Sequence, residues 1–131
     1  MSKVGKAIYN ILSNDSGVTS ITTRISPLLI GQTLNLPAVV YSQIDTDPND
    51  TKNGVSLLDE IQIEVDAIAE TYSGAEDLAA AIRTALDRYT GTANGVKVQS
   101  VQFNNESDTL EKVQNGLYTI TQDYTFRIEL N

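Results

Sequence analysis

The chain contains no cysteine and no histidine. Their absence removes disulfides, thiolate metal sites, cysteine nucleophiles, imidazole bases and Ser-His-Asp triads, and with them most familiar hydrolase chemistry. Positive charge is also scarce: 9 Lys and Arg face 17 Asp and Glu, for a net charge of -8 and a pI near 4.3. The basic residues form no run and are not interleaved with aromatics, so the surface should repel polyphosphate and tight sequence-specific DNA binding is not expected. No stretch approaches the roughly 18 consecutive apolar residues of a membrane span. Met1-Ser2-Lys3-Val4-Gly5-Lys6 leads into an amphipathic pattern rather than an apolar signal core. The expectation is therefore a protein made and folded in a cytoplasm without a membrane partner. At 131 residues the sequence reads as one domain, 1–131, able to bury a core without metal or disulfide support. It shows no internal repeat and no linker.

What is present is hydrophobic pattern. From Asp59 to Tyr89 the period changes from two to about 3.6 within one run. Ile61, Ile63, Val65, Ala67 and Ala69 alternate with Glu60, Gln62, Glu64, Asp66 and Glu70, with Ile68 alone breaking the polar side, which predicts a strand with one wet face. Ala75, Leu78, Ile82, Ala85 or Leu86, and Tyr89 then recur at helical spacing. Ser73 and Glu76 fit a capping box at the start of that helix, and Gly91 a stop.

Earlier, Ser2 can cap a helix whose stripe is Val4, Ala7, Ile8, Ile11 and Leu12. Ile21, Ile25, Leu28, Leu29 and Ile30 anchor a short strand or extended turn around Pro27 and Gly31, and Pro37 precedes a strand over 38–45. Polar loops are expected over Asp45–Ser56 and Asn104–Gly116, the first joining two antiparallel strands. Between them Val96–Phe103 reads as a strand with a bulge near Gln99 or Ser100. The final strand, Tyr118 to Leu130, alternates cleanly with Gln122 alone out of phase, and its length suggests an edge or intersubunit role. The fold class predicted is α+β, a mainly antiparallel sheet of about four long strands with two helices packed on one face.

Candidate chemistry is thin. Asp45-Thr46-Asp47-Pro48-Asn49-Asp50 begins like a calcium loop, but Asp50 stands where Gly is required and Ser56 where the closing Glu belongs, which favours a solvated turn. Glu60, Glu64, Asp66 and Glu70 share a strand face on which paired carboxylates can serve glycoside hydrolysis; a plain wet face is the simpler reading. Glycines 91, 95 and 116 lack phosphate-loop spacing. Arg24, between Ile21 and Pro27, is placed to pair with a carboxylate and fix a chain crossing, or to reach a neighbouring subunit.

In the order Val18-x-x-Ile21-x-x-Arg24-Ile25-x-Pro27, Leu36-Pro37-Ala38-Val39-Val40-Tyr41, Ala69-x-Thr71-Tyr72-x-x-Ala75-x-x-Leu78 and Asp123-Tyr124-x-Phe126-x-Ile128, the chain resembles the tail-completion proteins of long-tailed bacteriophages, also described as tail terminators or head-to-tail joining proteins. The resemblance spans nearly the whole chain. It implies a virion assembly protein at the head–tail junction with no catalytic, cofactor or metal site. It further implies a homo-oligomeric ring, commonly a hexamer when assembled, whose subunit can be monomeric in solution. The partners implied are the major tail tube protein and the head connector, with DNA passing through the lumen without specific binding. Arg24, then Asp45, Asp47, Asp50 and Lys52 of the first polar loop, and Glu106, Asp108, Glu111 and Lys112 of the second, are the partner-binding candidates. Two alternatives stay open: a head-completion or adaptor protein of the same pathway, and a small ligand-binding or carboxylate-dependent hydrolytic domain.

Overall fold

Helix α1 (Val4–Ser13) buries the expected stripe of Val4, Ala7, Ile8, Ile11 and Leu12. A short second helix, α2 (Ser16–Thr19), follows because Asp15 takes extended backbone angles and its carboxylate accepts the Val18 N–H at 3.0 Å. The remaining elements are β1 (Ile25–Pro27), β2 (Ala38–Pro48), β3 (Leu58–Ala69), α3 (Tyr72–Leu86), β4 (Gly91–Ala93), β5 (Val96–Asp108) and β6 (Tyr118–Glu129). The computed structural model describes residues 4–27, 37–48, 58–93, 95–108 and 118–129. The Ser2 cap, the Leu28, Leu29 and Ile30 anchors, Gly31, Gly116 and Leu130 lie outside them.

The α+β class holds, and β2, β3, β5 and β6 are the four long strands. The sheet itself is six-stranded, in the order β1-β2-β3-β6-β5-β4, and mixed, since β1 runs parallel to β2 while every other pair is antiparallel. The two additional strands are only three residues each, too short to show a period. Helix α1 packs against both β1 and β4, which sit at opposite margins. Strands lie about 4.8 Å apart, so a flat six-stranded sheet would hold those margins about 24 Å apart, beyond the reach of one helix about 10 Å across. The sheet is therefore curled around its helices. Ile61, Ile63, Val65, Tyr124, Phe126, Leu78 and Ile82 fill the layer between sheet and helices, each at most 1% exposed.

Several boundaries differ from expectation. Strand β2 continues to Pro48, and its register resumes at Asp45↔Gln62 after a bulge, so the first polar loop starts later than Asp45. Strand β5 likewise runs on to Asp108, through the predicted bulge at Gln99 and a second at Asn104. Both stretches are as polar as a loop, and only their cross-strand register shows them to be strand. Strand β6 is not an edge: it lies between β3 and β5. A central strand with one uncovered face alternates just as an edge strand does.

The capping box at Ser73 does not form. Thr71 is the N-cap, with extended φ and ψ and its hydroxyl accepting the Gly74 N–H at 3.0 Å, so Ser73 falls inside the first turn. Nor does Gly91 end α3. Asp87 caps it and Arg88 takes the left-handed conformation (φ 63°), its N–H donating to Val101 at 2.9 Å, which brings the chain to β5.

Candidate functional site

The helices cover one face of the sheet, which leaves the other as the surface on which the strand carboxylates stand. On it, cross-strand pairs between β3 and β6 engage the polar side chains in turn. Arg127 Nε donates to Glu60 Oε2 at 2.8 Å. Asn104, lifted by the second β5 bulge, donates to Thr125 Oγ1 at 2.8 Å, and the Thr125 hydroxyl donates to Gln62 Oε1 at 3.0 Å. The Thr121 hydroxyl donates to Asp66 Oδ1 at 2.8 Å. Glu64 stands opposite Asp123 on one side and Ser42 on the other.

This face is only partly wet. Asp66, Thr119 and Thr121 are buried, as is Ala38, which pairs with Ile68, the one apolar residue of the β3 polar side. The face is thus a hydrogen-bonded ladder with an acidic surplus, wetter toward Glu60 and drier toward Ile68. No cluster of three or more acidic side chains able to hold a metal ion occurs among the described residues. The two grooves of note lie elsewhere. One, of about 690 Å³, is lined by Gly5, Lys6, Tyr9, Asn10, Ser13, Pro27 and Tyr41; the other, of about 300 Å³, by Ile21, Pro37, Ala69, Glu70, Thr71 and Gly74. Neither of these two grooves is lined by two carboxylates, the arrangement a carboxylate-pair hydrolase uses.

Arg24 is exposed and forms no ion pair among the described residues; only its backbone is engaged, through the Thr22 hydroxyl and the Val39 N–H. The crossing it was expected to fix is held instead by Thr22, 4% exposed, whose hydroxyl donates to the Pro37 carbonyl at 2.7 Å. Glu106 is exposed on β5 and accepts from Gln122 Nε2 at 2.8 Å. Asp45 and Asp47 lie in β2 and Asp108 ends β5. Asp50, Lys52, Glu111 and Lys112 lie outside the described residues. The described candidates thus lie on different elements, Arg24 just before β1, Asp45 and Asp47 on β2, and Glu106 and Asp108 on β5.

Gln122, the residue out of phase in β6, is 1% exposed. Its amide also donates to the Ala79 carbonyl of α3 at 2.9 Å, and its oxygen accepts the Tyr124 hydroxyl at 2.8 Å. Burial, reinforced by Asp87 and Glu106 and opposed by Arg83, pushes the Tyr124 hydroxyl far above its ordinary ionisation range. Phe103 meets the Tyr124 ring edge-on at 5.5 Å, and the Arg83 guanidinium sits 3.9 Å from the Phe103 centroid. This cluster ties β5, β6 and α3 together.

With scaffold rather than chemistry in view, comparison with known proteins is informative. No curated protein matches the chain. Among solved structures, a chain described as "Virion of native gene transfer agent (GTA) particle" superposes with a TM-score of 0.65 at 18% identity, covering 93% of this chain and 91% of that one. At that identity the likeness establishes a shared fold. The family model described as "Tail completion protein gp17" matches residues 6–129, so the chain belongs to the phage tail-completion family and is a virion structural protein.

Proposed function

We propose that the protein terminates the phage tail tube and joins the tail to the head connector as a homo-oligomeric ring, a hexamer when assembled. Family membership over residues 6–129 carries this reading. The ring covers the exposed end of the tube formed by the major tail protein, which halts its growth, and presents its other face to the connector or adaptor proteins. The subunit acts as a single domain without catalysis, assembles in the host cytoplasm, and is monomeric in dilute solution, associating by mass action at high concentration or on its template. DNA passes through the lumen unbound. A chain of net charge -8 suits that passage, because affinity for duplex DNA depends on neutralising phosphates with Lys and Arg. Arg24, the β2 residues Asp45 and Asp47 with Asp50 and Lys52 beyond, and the β5 residues Glu106 and Asp108 with Glu111 and Lys112 beyond, are the positions offered to the tube, the connector or the next subunit.

The test is a null mutant of the gene in its own phage or prophage, with lysates viewed by electron microscopy. Separate heads and tails, with tails of irregular length, are expected. Uniform, fully joined particles would overturn the assignment.

A further inference from the structure

Among the described residues the sheet has an open margin on each side. On one, β1 pairs with β2 only from Val39 to Tyr41, so β2 from Ile44 to Pro48 has no outer strand among the described residues. On the other, β4 pairs with β5 only over Val96–Val98, and the Arg88 N–H closes one further position by donating to the Val101 carbonyl. Beyond it, β5 from Gln102 to Asp108 pairs with β6 alone among the described residues. Since the Val101 carbonyl points away from β6, the two-residue repeat of the ladder turns the Phe103 amide and carbonyl to the same open side. Such margins template pairing with another strand unless something covers them.

On the helix-covered side of the sheet the two margins offer one pair of opposite charges. Beside β2, Pro27, Tyr41 and the outward side of α1 line the 690 Å³ groove, where Lys6 and Tyr9 are exposed. Ile44, at the β2 bulge, is 59% exposed. The β5 margin carries Glu106 on the helix-covered side of the sheet, the side from which Gln122 reaches it. A strand added to a sheet keeps the two faces in register, so Glu106 of an incoming β5 projects toward the groove and Lys6. A β5 margin meeting its own copy would set Glu106 against Glu106, and like charges facing across strands are destabilising.

We propose that the subunit contact is a sheet extension in which the β5 margin of one copy, Gln102–Asp108, docks on the β2 margin of the next, Ile44–Pro48, with Glu106 beside Lys6. The contact joins unlike surfaces, so repeated copies form a ring where the rotation closes. It rests on the ring reading above and supplies that ring's interface. Glu106 keeps one oxygen on Gln122 and offers the other to Lys6.

The native chain lacks cysteine, so introduced thiols report without background. Ile44→Cys and Asn105→Cys proteins are purified as full chains, oxidised singly and mixed at high concentration, with sedimentation of the unoxidised protein alongside. Disulfide dimers in the mixture and not in either single variant are expected, and Lys6→Glu should lower their yield by up to about fivefold. Dimers from one variant alone mean that like edges meet, which overturns the proposal. An oligomer that sediments yet gives no cross-link in the mixture overturns the edge contact and leaves the ring intact. A protein monomeric at every concentration and never cross-linked also overturns it. Failure of the ring reading itself appears separately, as joined particles from the null mutant.

Discussion

Replacing Gln122 by Leu tests how the buried amide holds the two layers together. Leu is of similar size and apolar, so the change removes hydrogen bonds with little cavity. The Ala79 carbonyl retains its intrahelical bond, and exposed Glu106 can turn to water. The Tyr124 hydroxyl has no such recourse, since Tyr124 is 0% exposed and Gln122 is its partner at 2.8 Å. Leaving one buried hydroxyl unsatisfied costs about 1–3 kcal/mol, which in a domain of this size lowers Tm by about 4–11 °C. Tyr124→Phe alone strands the Gln122 oxygen and should cost about 1 kcal/mol. The double variant replaces both partners by apolar groups, so it should lose at least about 1 kcal/mol less than the sum. Urea unfolding followed by circular dichroism, with unchanged slope, measures each value. Additivity within about 0.5 kcal/mol would refute the coupling, and a neutral Gln122→Leu would refute the buried bond itself.

The cap of α3 predicts a reversal of sign. Thr71→Ala should cost about 1 kcal/mol. Gly74→Ala, ordinarily favourable in a helix by up to about 1 kcal/mol, should not stabilise here, because its Cβ would lie 2.9 Å from Thr71 Oγ1. In the Thr71→Ala background the same change should become stabilising, as urea melts will show. Arg88 holds a left-handed φ of 63°, so Arg88→Gly should raise stability by about 1 kcal/mol, read by thermal unfolding. Burial, with a smaller push from Tyr9, raises the Tyr41 ionisation as burial raises that of Tyr124. The unfolded chain therefore loses these protons first: stability is intact below about pH 10 and falls above it by about 1.4 kcal/mol per pH unit per tyrosine. Tyrosinate absorbance should show these two residues titrating late. Arg127→Ala, which breaks a half-exposed ion pair with Glu60, should cost less than about 1 kcal/mol in the same melts.

Long periodic elements were legible in the sequence for a physical reason: α1, β3, α3 and β6 each bury one face over enough residues for a period to show. The α1 stripe survives intact, and the β6 alternation holds from Gln122 to Glu129 but is lost over 119–121, where Thr119 and Thr121 are also buried. Elements of three or four residues, β1, α2 and β4, carry no period and owe their form to neighbours, as β1 does to β2. The ends of β2 and β5 were misread because their composition is as polar as a loop's and only pairing with a neighbouring strand makes them strand. Gln122 was visible as a break in phase, yet only the tertiary structure supplies its partners from Ala79, Glu106 and Tyr124. Thr22 left no signal, since its partner at Pro37 is remote in sequence. The surface candidates were chosen by charge, and charge alone does not say which residues converge; Arg24 and Glu106 show this, one making no ion pair among the described residues and the other turned inward to an amide.

The central claim, a structural component of the head–tail joint, is tested most directly by locating the protein in the particle. An epitope-tagged chain that still supports particle production, labelled with gold-conjugated antibody and viewed by electron microscopy, should place label at the junction of head and tail. Label at the distal tail tip, along the tube or nowhere on the particle would contradict the account.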